Sequence, residues 1–164
     1  MSEVISKHNK QIISKNTEQE KSQKTCNCRR PTECPLQNRC LEQSLIYQAT
    51  VSSKSGEKKY IGCTEGPFKT RFNNHKQSMN KRSYSSATEL SKYVWNLKDR
   101  DENFDISWKI VAKASPYICG SKKCDICLTE KVFIADGDPV SLLNSRAEII
   151  SKCRHLETSF YLAN

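Results

Sequence analysis

LIYQATV at residues 45–51, SSKSGEK at 52–58 and YIGC at 60–63 decide the fold. The first run is dense in branched and aromatic side chains, which suit a pleated, half-buried strand. The middle carries Gly56 and reads as a turn. YIGC is a second short strand, so the two runs make a hairpin. Gly66 and Pro67 then break the chain, and Pro67 suits the first position of a helix in which Phe68, Arg71, Phe72 and His75 recur at helical spacing. Further out, Ser86 and Glu89 predict a capping box, followed by a stripe of Leu90, Tyr93, Val94 and Leu97. Phe104, Ile106, Trp108 and Ile110 alternate with polar residues, the pattern of a strand with one buried face. A short helix over 128–135 comes next. A second capping box, Ser145 with Glu148, opens a final helix through about residue 152. The order β-β-α-α-β-α-α predicts an α+β fold: a small mixed sheet, made of the hairpin and one later strand, flanked by helices.

The 164 residues have room for one ordinary domain and a tail. Residues 1–25 are polar, without an apolar period, and read as a flexible tail; they also lack the apolar core of a secretory leader. Residues 26–44 form a cysteine-rich segment, 45–155 the main domain and 156–164 a C-terminal tail. Hydrophobic residues make up 36% of the chain and the mean hydropathy is −0.72, so the core is modest and nothing is apolar enough to span a bilayer. The expected setting is intracellular, with no membrane partner. The net charge of +9 is concentrated: Lys54, Lys58, Lys59, Lys69, Arg71, Lys76, Lys81 and Arg82 face only Glu57 and Glu65 in that stretch. Such clustering suits a polyanion better than an even solvated coat would.

Nine cysteines are many for this length, and an odd number fits a complete disulfide framework poorly. In a reducing compartment, clustered cysteines suggest zinc. Cys124 and Cys127 form a CxxC half-site, and Cys153 with His155 after the final helix can complete it if that helix folds back over the sheet. Cys26, Cys28, Cys34 and Cys40 can form a second site. Mixed sites, such as Cys28 and Cys40 with Cys124 and Cys127, are also open, and Cys63 and Cys119 are left over.

A tyrosine on each hairpin strand, Tyr47 and then Tyr60 in Tyr60-Ile61-Gly62, with Arg71 on the next helix, resembles the GIY-YIG nuclease superfamily over residues 45–155. Within it, CPLQNRCL (34–41), YIGCTEGPFKTRFNNHKQS (60–78), TELSKYVWNLK (88–98), CDICLTEK (124–131) and LLNSRAEIISKCRH (142–155) are similar to the endonuclease domain of Penelope-like retroelements. The first motif reads Leu45-Ile46-Tyr47, without the superfamily's glycine, a packing position rather than a reactive group. The resemblance implies a divalent-metal-dependent DNA endonuclease that nicks one strand, in the nucleus, with DNA and a reverse transcriptase of the same or a related element as partners.

It also implies roles. Tyr47 accepts a proton from water, its pKa lowered by metal and Arg71; Tyr60 orients phosphate or water; Arg71 binds phosphate. Glu130 holds Mg²⁺ or Mn²⁺, Asn144 closes the site, and His75, one helical turn from Arg71, is a second candidate base. Arginine's rigid fork suits phosphate in any case. Each residue also has an ordinary reading: half-buried sheet tyrosines, solvated helix charges, and an asparagine beside the Ser145 cap. A catalytically inactive zinc-stabilised DNA-binding module with the same fold is the alternative function, and a zinc-folded interaction module a third.

Overall fold

The computed structural model describes residues 24–153 and 155. The tail over 1–25, apart from its last two residues, and the tail over 156–164 lie outside them. Three strands, β1 (Leu45–Ser53), β2 (Gly56–Thr64) and β3 (Phe104–Lys113), are joined and flanked by α1 (Phe68–Asn80), α2 (Glu89–Asp99), α3 (Asp125–Ala135) and the single turn α4 (Ala147–Ile150).

The hairpin is longer than YIGC suggests, because its loop is only Lys54 and Ser55. Gly56 takes φ +110° there, a conformation that a side chain resists. Register pairs Tyr47 with Gly62 and Ala49 with Tyr60. The sheet order is β2-β1-β3, and both pairings are antiparallel. The expected mixed sheet is therefore corrected. β3 does run parallel to β2, as a helical crossover favours, but it settles on the far side of β1, so no two adjacent strands are parallel. Among the described residues the one parallel bridge joins Lys59 of β2 to Leu142, which lies outside the named strands.

The sheet is covered on both faces. Leu45, Tyr47, Ala49 and Val51 point toward Phe68 of α1 and Leu90, Val94 and Leu97 of α2. Ile46 and Ile61 point the other way, toward Ile126 and Ile134 of α3. Along β3 Phe104, Ile106 and Trp108 are half-buried while Asp105, Ser107 and Lys109 are exposed, as the alternation predicts.

Two helix starts differ from expectation. α2 is capped by Thr88, whose Oγ1 accepts from Ser91 N at 3.1 Å while Ser91 Oγ accepts from Thr88 N at 2.9 Å, in place of the Ser86–Glu89 pair. That start turns Leu90, Val94 and Leu97 inward together. α3 begins at Asp125, directly after Cys124, rather than at 128. The Ser145–Glu148 box is half formed. Glu148 accepts from Ser145 N at 2.9 Å, but Ser145 Oγ takes Ala147 N, and the helix stops where Ser151 turns extended.

An edge strand exposes a row of unpaired backbone groups, and on β2 the segment before α4 covers them. Ser141 O accepts from Lys59 N and Leu143 N donates to Lys59 O, both at 2.7 Å. One residue pair on, the backbone partner is replaced by a side chain. Asn144 Oδ1 accepts from Ile61 N at 2.7 Å and Nδ2 donates to Ile61 O at 2.9 Å. Asn144→Ala leaves both Ile61 groups without partners in a buried place. At about 1–3 kcal/mol for each such group, urea unfolding should show a loss of about 2–4 kcal/mol; a loss under about 0.5 kcal/mol would mean the clamp does not hold the edge.

Candidate active site and two candidate metal centres

Tyr47, on the central strand, is fully buried and reaches across the sheet toward α1. Its oxygen accepts from Arg71 Nε at 2.9 Å and lies 2.8 Å from His75 Nε2. Arg71 and His75 are one helical turn apart, so both project from the same face of α1. The ring can cross its neighbour only because that neighbour is Gly62, where a Cβ would sit 2.5 Å from Tyr47 Cζ and closer still to the oxygen. Trp108, Phe68 and Tyr60 pack around the cluster with edge-on or tilted ring contacts. Leu45 is fully buried in the same core.

The hydrogen bonds place the protons. Tyr47's oxygen receives Arg71 Nε–H, so its own hydroxyl proton is free to point at His75 Nε2. Burial, reinforced by the neighbouring Arg71 charge, holds His75 down to about 3, and the ring is therefore neutral with its proton on Nδ1. Burial pushes the Tyr47 phenol well up, further than Arg71 pulls it back. The lowered tyrosine pKa expected from the sequence is thus not what the chain's own groups produce.

A cleft of about 330 Å³ opens over this cluster, within the range of ligand sites, lined by Tyr60, Arg71, His75, Thr88, Glu89 and Glu148 among others. Arg71 is only partly buried, and its two terminal nitrogens make no hydrogen bond or ion pair with the described residues. His75 is 2% exposed. No buried side-chain nitrogen or oxygen among the described residues lacks a partner. Its Nδ1 has none, so it meets solvent, and the cleft is where His75 does so. The cleft therefore presents a guanidinium fork and a neutral N–H donor, a combination suited to an anion with several oxygens.

The other expected site residues lie around this centre. Tyr60 lines the cleft, and Asn144 stands at the edge of β2 with Nδ2 also donating to Glu148 Oε2 at 3.1 Å. Glu130 is half-buried on α3 and does not line the cleft. The carboxylates that do are Glu89 and Glu148, whose sequence context marks them only as cap residues.

The cysteines separate into two groups. Cys26, Cys28, Cys34 and Cys40 form one and Cys124, Cys127, Cys153 and His155 the other, each with all ligand atoms within 4.8 Å of one another. No ligand crosses between them, so the mixed sites do not form. Sulfur–sulfur distances of 3.5–3.6 Å are far beyond a bond of about 2.05 Å. They are near the edge, about 3.8 Å, of a tetrahedron with zinc–sulfur bonds of about 2.3 Å. His155 Nδ1 lies 3.4 Å from Cys124 and 3.2 Å from Cys127. Its other nitrogen is 3.5 Å from Glu65 Oε2, and Tyr117 stacks on the ring while donating its N–H to Glu65 at 2.6 Å. Such carboxylate support is typical of metal-bound histidines, and no motif or spacing in the sequence announces it. Either group could hold an ion such as zinc. Without one, burial above all pushes the Cys40 thiol up to about 12, a cost that coordination of the thiolate reverses. Cys63 is half-buried against the second group and Cys119 is exposed.

Two measurements check these sites. Protein purified without chelator should carry two zinc ions per chain, and Cys124→Ser should lose one and melt at least about 5 °C lower. Less than one zinc, with the variant as stable as the parent, would remove both centres. His75 is neutral in the fold but gains a proton once unfolded, so its depressed pKa makes stability fall as pH drops below about 6.5. Between pH 7 and 5.5, in zinc-containing buffer, the parent should lose about 1 kcal/mol more than His75→Gln; parallel curves would show a histidine that is not held neutral. No protein-family model, curated protein or solved structure matches the chain.

Proposed function

We propose that the chain is a divalent-metal-dependent DNA endonuclease of the GIY-YIG type, hydrolysing a phosphodiester and nicking one strand, as in Penelope-like retroelements. One observation carries the reading: a partly buried arginine whose terminal nitrogens have no partner among the described residues faces an open cleft beside a neutral histidine donor. Partly burying a guanidinium with only its Nε satisfied is costly, and a phosphate from outside the chain would offset that cost.

In this reading Arg71 binds the non-bridging oxygens through its two terminal nitrogens, where negative charge grows in the transition state. His75 Nδ1–H is a second donor, and Tyr60 walls the same space. Tyr47 is a positioning residue: it holds Arg71 by Nε and fixes which nitrogen of His75 carries the proton. A divalent cation, when bound, adds the positive charge that one arginine cannot supply and activates water. Glu130 is the ligand implied by the resemblance, and Glu89 and Glu148 are the carboxylates in the cleft. Exposed Lys54, Lys76 and Lys81 are available for neighbouring phosphates, whereas Lys58, Lys69 and Arg82 also hold Val140, Asn27 and Asp99.

Complete burial of the Tyr47 hydroxyl favours the second reading, a DNA-binding module without catalysis. A supercoiled-plasmid assay with Mg²⁺ or Mn²⁺ separates the two. The parent should convert plasmid to nicked circles, and Arg71→Ala should lower the rate on the order of 10²–10³-fold while remaining folded. DNA binding without nicking would leave the second reading, and absence of both would end the two together.

A further inference from the structure

Glu148 is the cleft residue with the least obvious purpose. Its two oxygens each accept one hydrogen bond, Oε1 from Ser145 N at 2.9 Å and Oε2 from Asn144 Nδ2 at 3.1 Å. Asn144, 8% exposed, is itself clamped at both ends to the Ile61 backbone. The carboxylate is thereby tied to the edge of the strand that carries Tyr60. Each carboxylate oxygen has a further lone pair, and among the described residues no lysine, arginine or histidine forms an ion pair with Glu148.

Arg71 lines the same cleft without reaching within ion-pair distance of it. A fixed negative group and a fixed positive group that share a space without touching leave a position between them with a particular complement. A phosphate would take the guanidinium, and a cation bound to that phosphate would take the carboxylate. His75 independently supports the phosphate half of this arrangement, because it is almost wholly buried and its Nδ1, without a partner among the described residues, meets the cleft. Glu89 is the weaker candidate, since its carboxylate is paired with Lys92 at 2.6 Å. One carboxylate with water and phosphate oxygens is the usual economy of a magnesium site.

We infer that Glu148 holds the divalent cation in this cleft, with Asn144 as its positioning residue. This rests on the cleft taking a DNA phosphate, and it gives Glu148 the part that the resemblance gives Glu130.

The test is Mn²⁺ binding by the zinc-loaded full chain, read from the loss of the free-ion electron paramagnetic resonance signal, with and without a short DNA duplex. Glu148→Gln should weaken Mn²⁺ binding at least tenfold, and Glu130→Gln should leave it within twofold. In the parent, Mn²⁺ should broaden the proton signals of the Asn144 amide and the His75 ring before those of Val132 on α3, a readout that needs no variant to fold. Unchanged binding in Glu148→Gln, loss in Glu130→Gln alone, earlier broadening at Val132, or no Mn²⁺ bound by the parent with DNA would each overturn the inference. Mn²⁺ held through Glu148 by a protein that never nicks plasmid would remove the nuclease reading and leave this site standing.

Discussion

A tyrosine, an arginine and a histidine can be packed against one another in a protein interior only if their polar atoms are matched. The Tyr47 hydroxyl, held between Arg71 and His75, sets that condition. It fixes the hairpin register, because the ring needs the one residue without a side chain, Gly62, directly opposite. It fixes the rotation of α1, because only one phase of the helix turns both Arg71 and His75 to the sheet. The aromatic wall of Phe68, Trp108 and Tyr60 then keeps water from the hydroxyl. Each missing partner would cost about 1–3 kcal/mol, so slippage in any of these elements is penalised by the others.

This arrangement also explains the contrast between Tyr47 and the reactive tyrosine expected from the sequence. Depressing a phenol requires charge that outweighs the loss of water, and here a single arginine does not. The oxygen is committed to two neighbours and holds them in place. The atoms that have no partner among the described residues, the terminal nitrogens of Arg71 and Nδ1 of His75, lie further out.

What the sequence disclosed follows how local each cause is. The alternation of Phe104, Ile106 and Trp108 is a local pattern, and β3 follows it. Arg71 and His75 four residues apart on a helix must share a face, and they do. The side of β1 that β3 joins depends on the path of two helices, which no short pattern records. In SSATELS two hydroxyl residues compete to cap α2, and the choice of Thr88 follows from how the stripe meets the core. Cys124 and Cys127 announce themselves by spacing. Glu65 and Tyr117 behind His155 do not, being brought there by separate loops. Glu148 reads as a cap because its second bond, to Asn144, exists only once Asn144 has docked on Ile61.

The Cys-rich segment is joined to α1 more directly than its place in the sequence suggests. Cys40 O accepts from Lys69 N at 2.7 Å and Glu42 O from Phe68 N at 2.9 Å, so this segment caps α1. Seen as loop closures, the two ligand groups differ. Cys26 and Cys40 are 14 residues apart, whereas Cys124 and His155 are separated by 31. The longer loop costs about 0.7 kcal/mol more chain entropy to close, and it encloses α3 together with the strip that covers β2. An ion captured early in the short loop would seed the start of α1 from nearby residues alone. The long loop carries the strip that docks on Lys59 of β2, so its closure is tied to the covering of that edge.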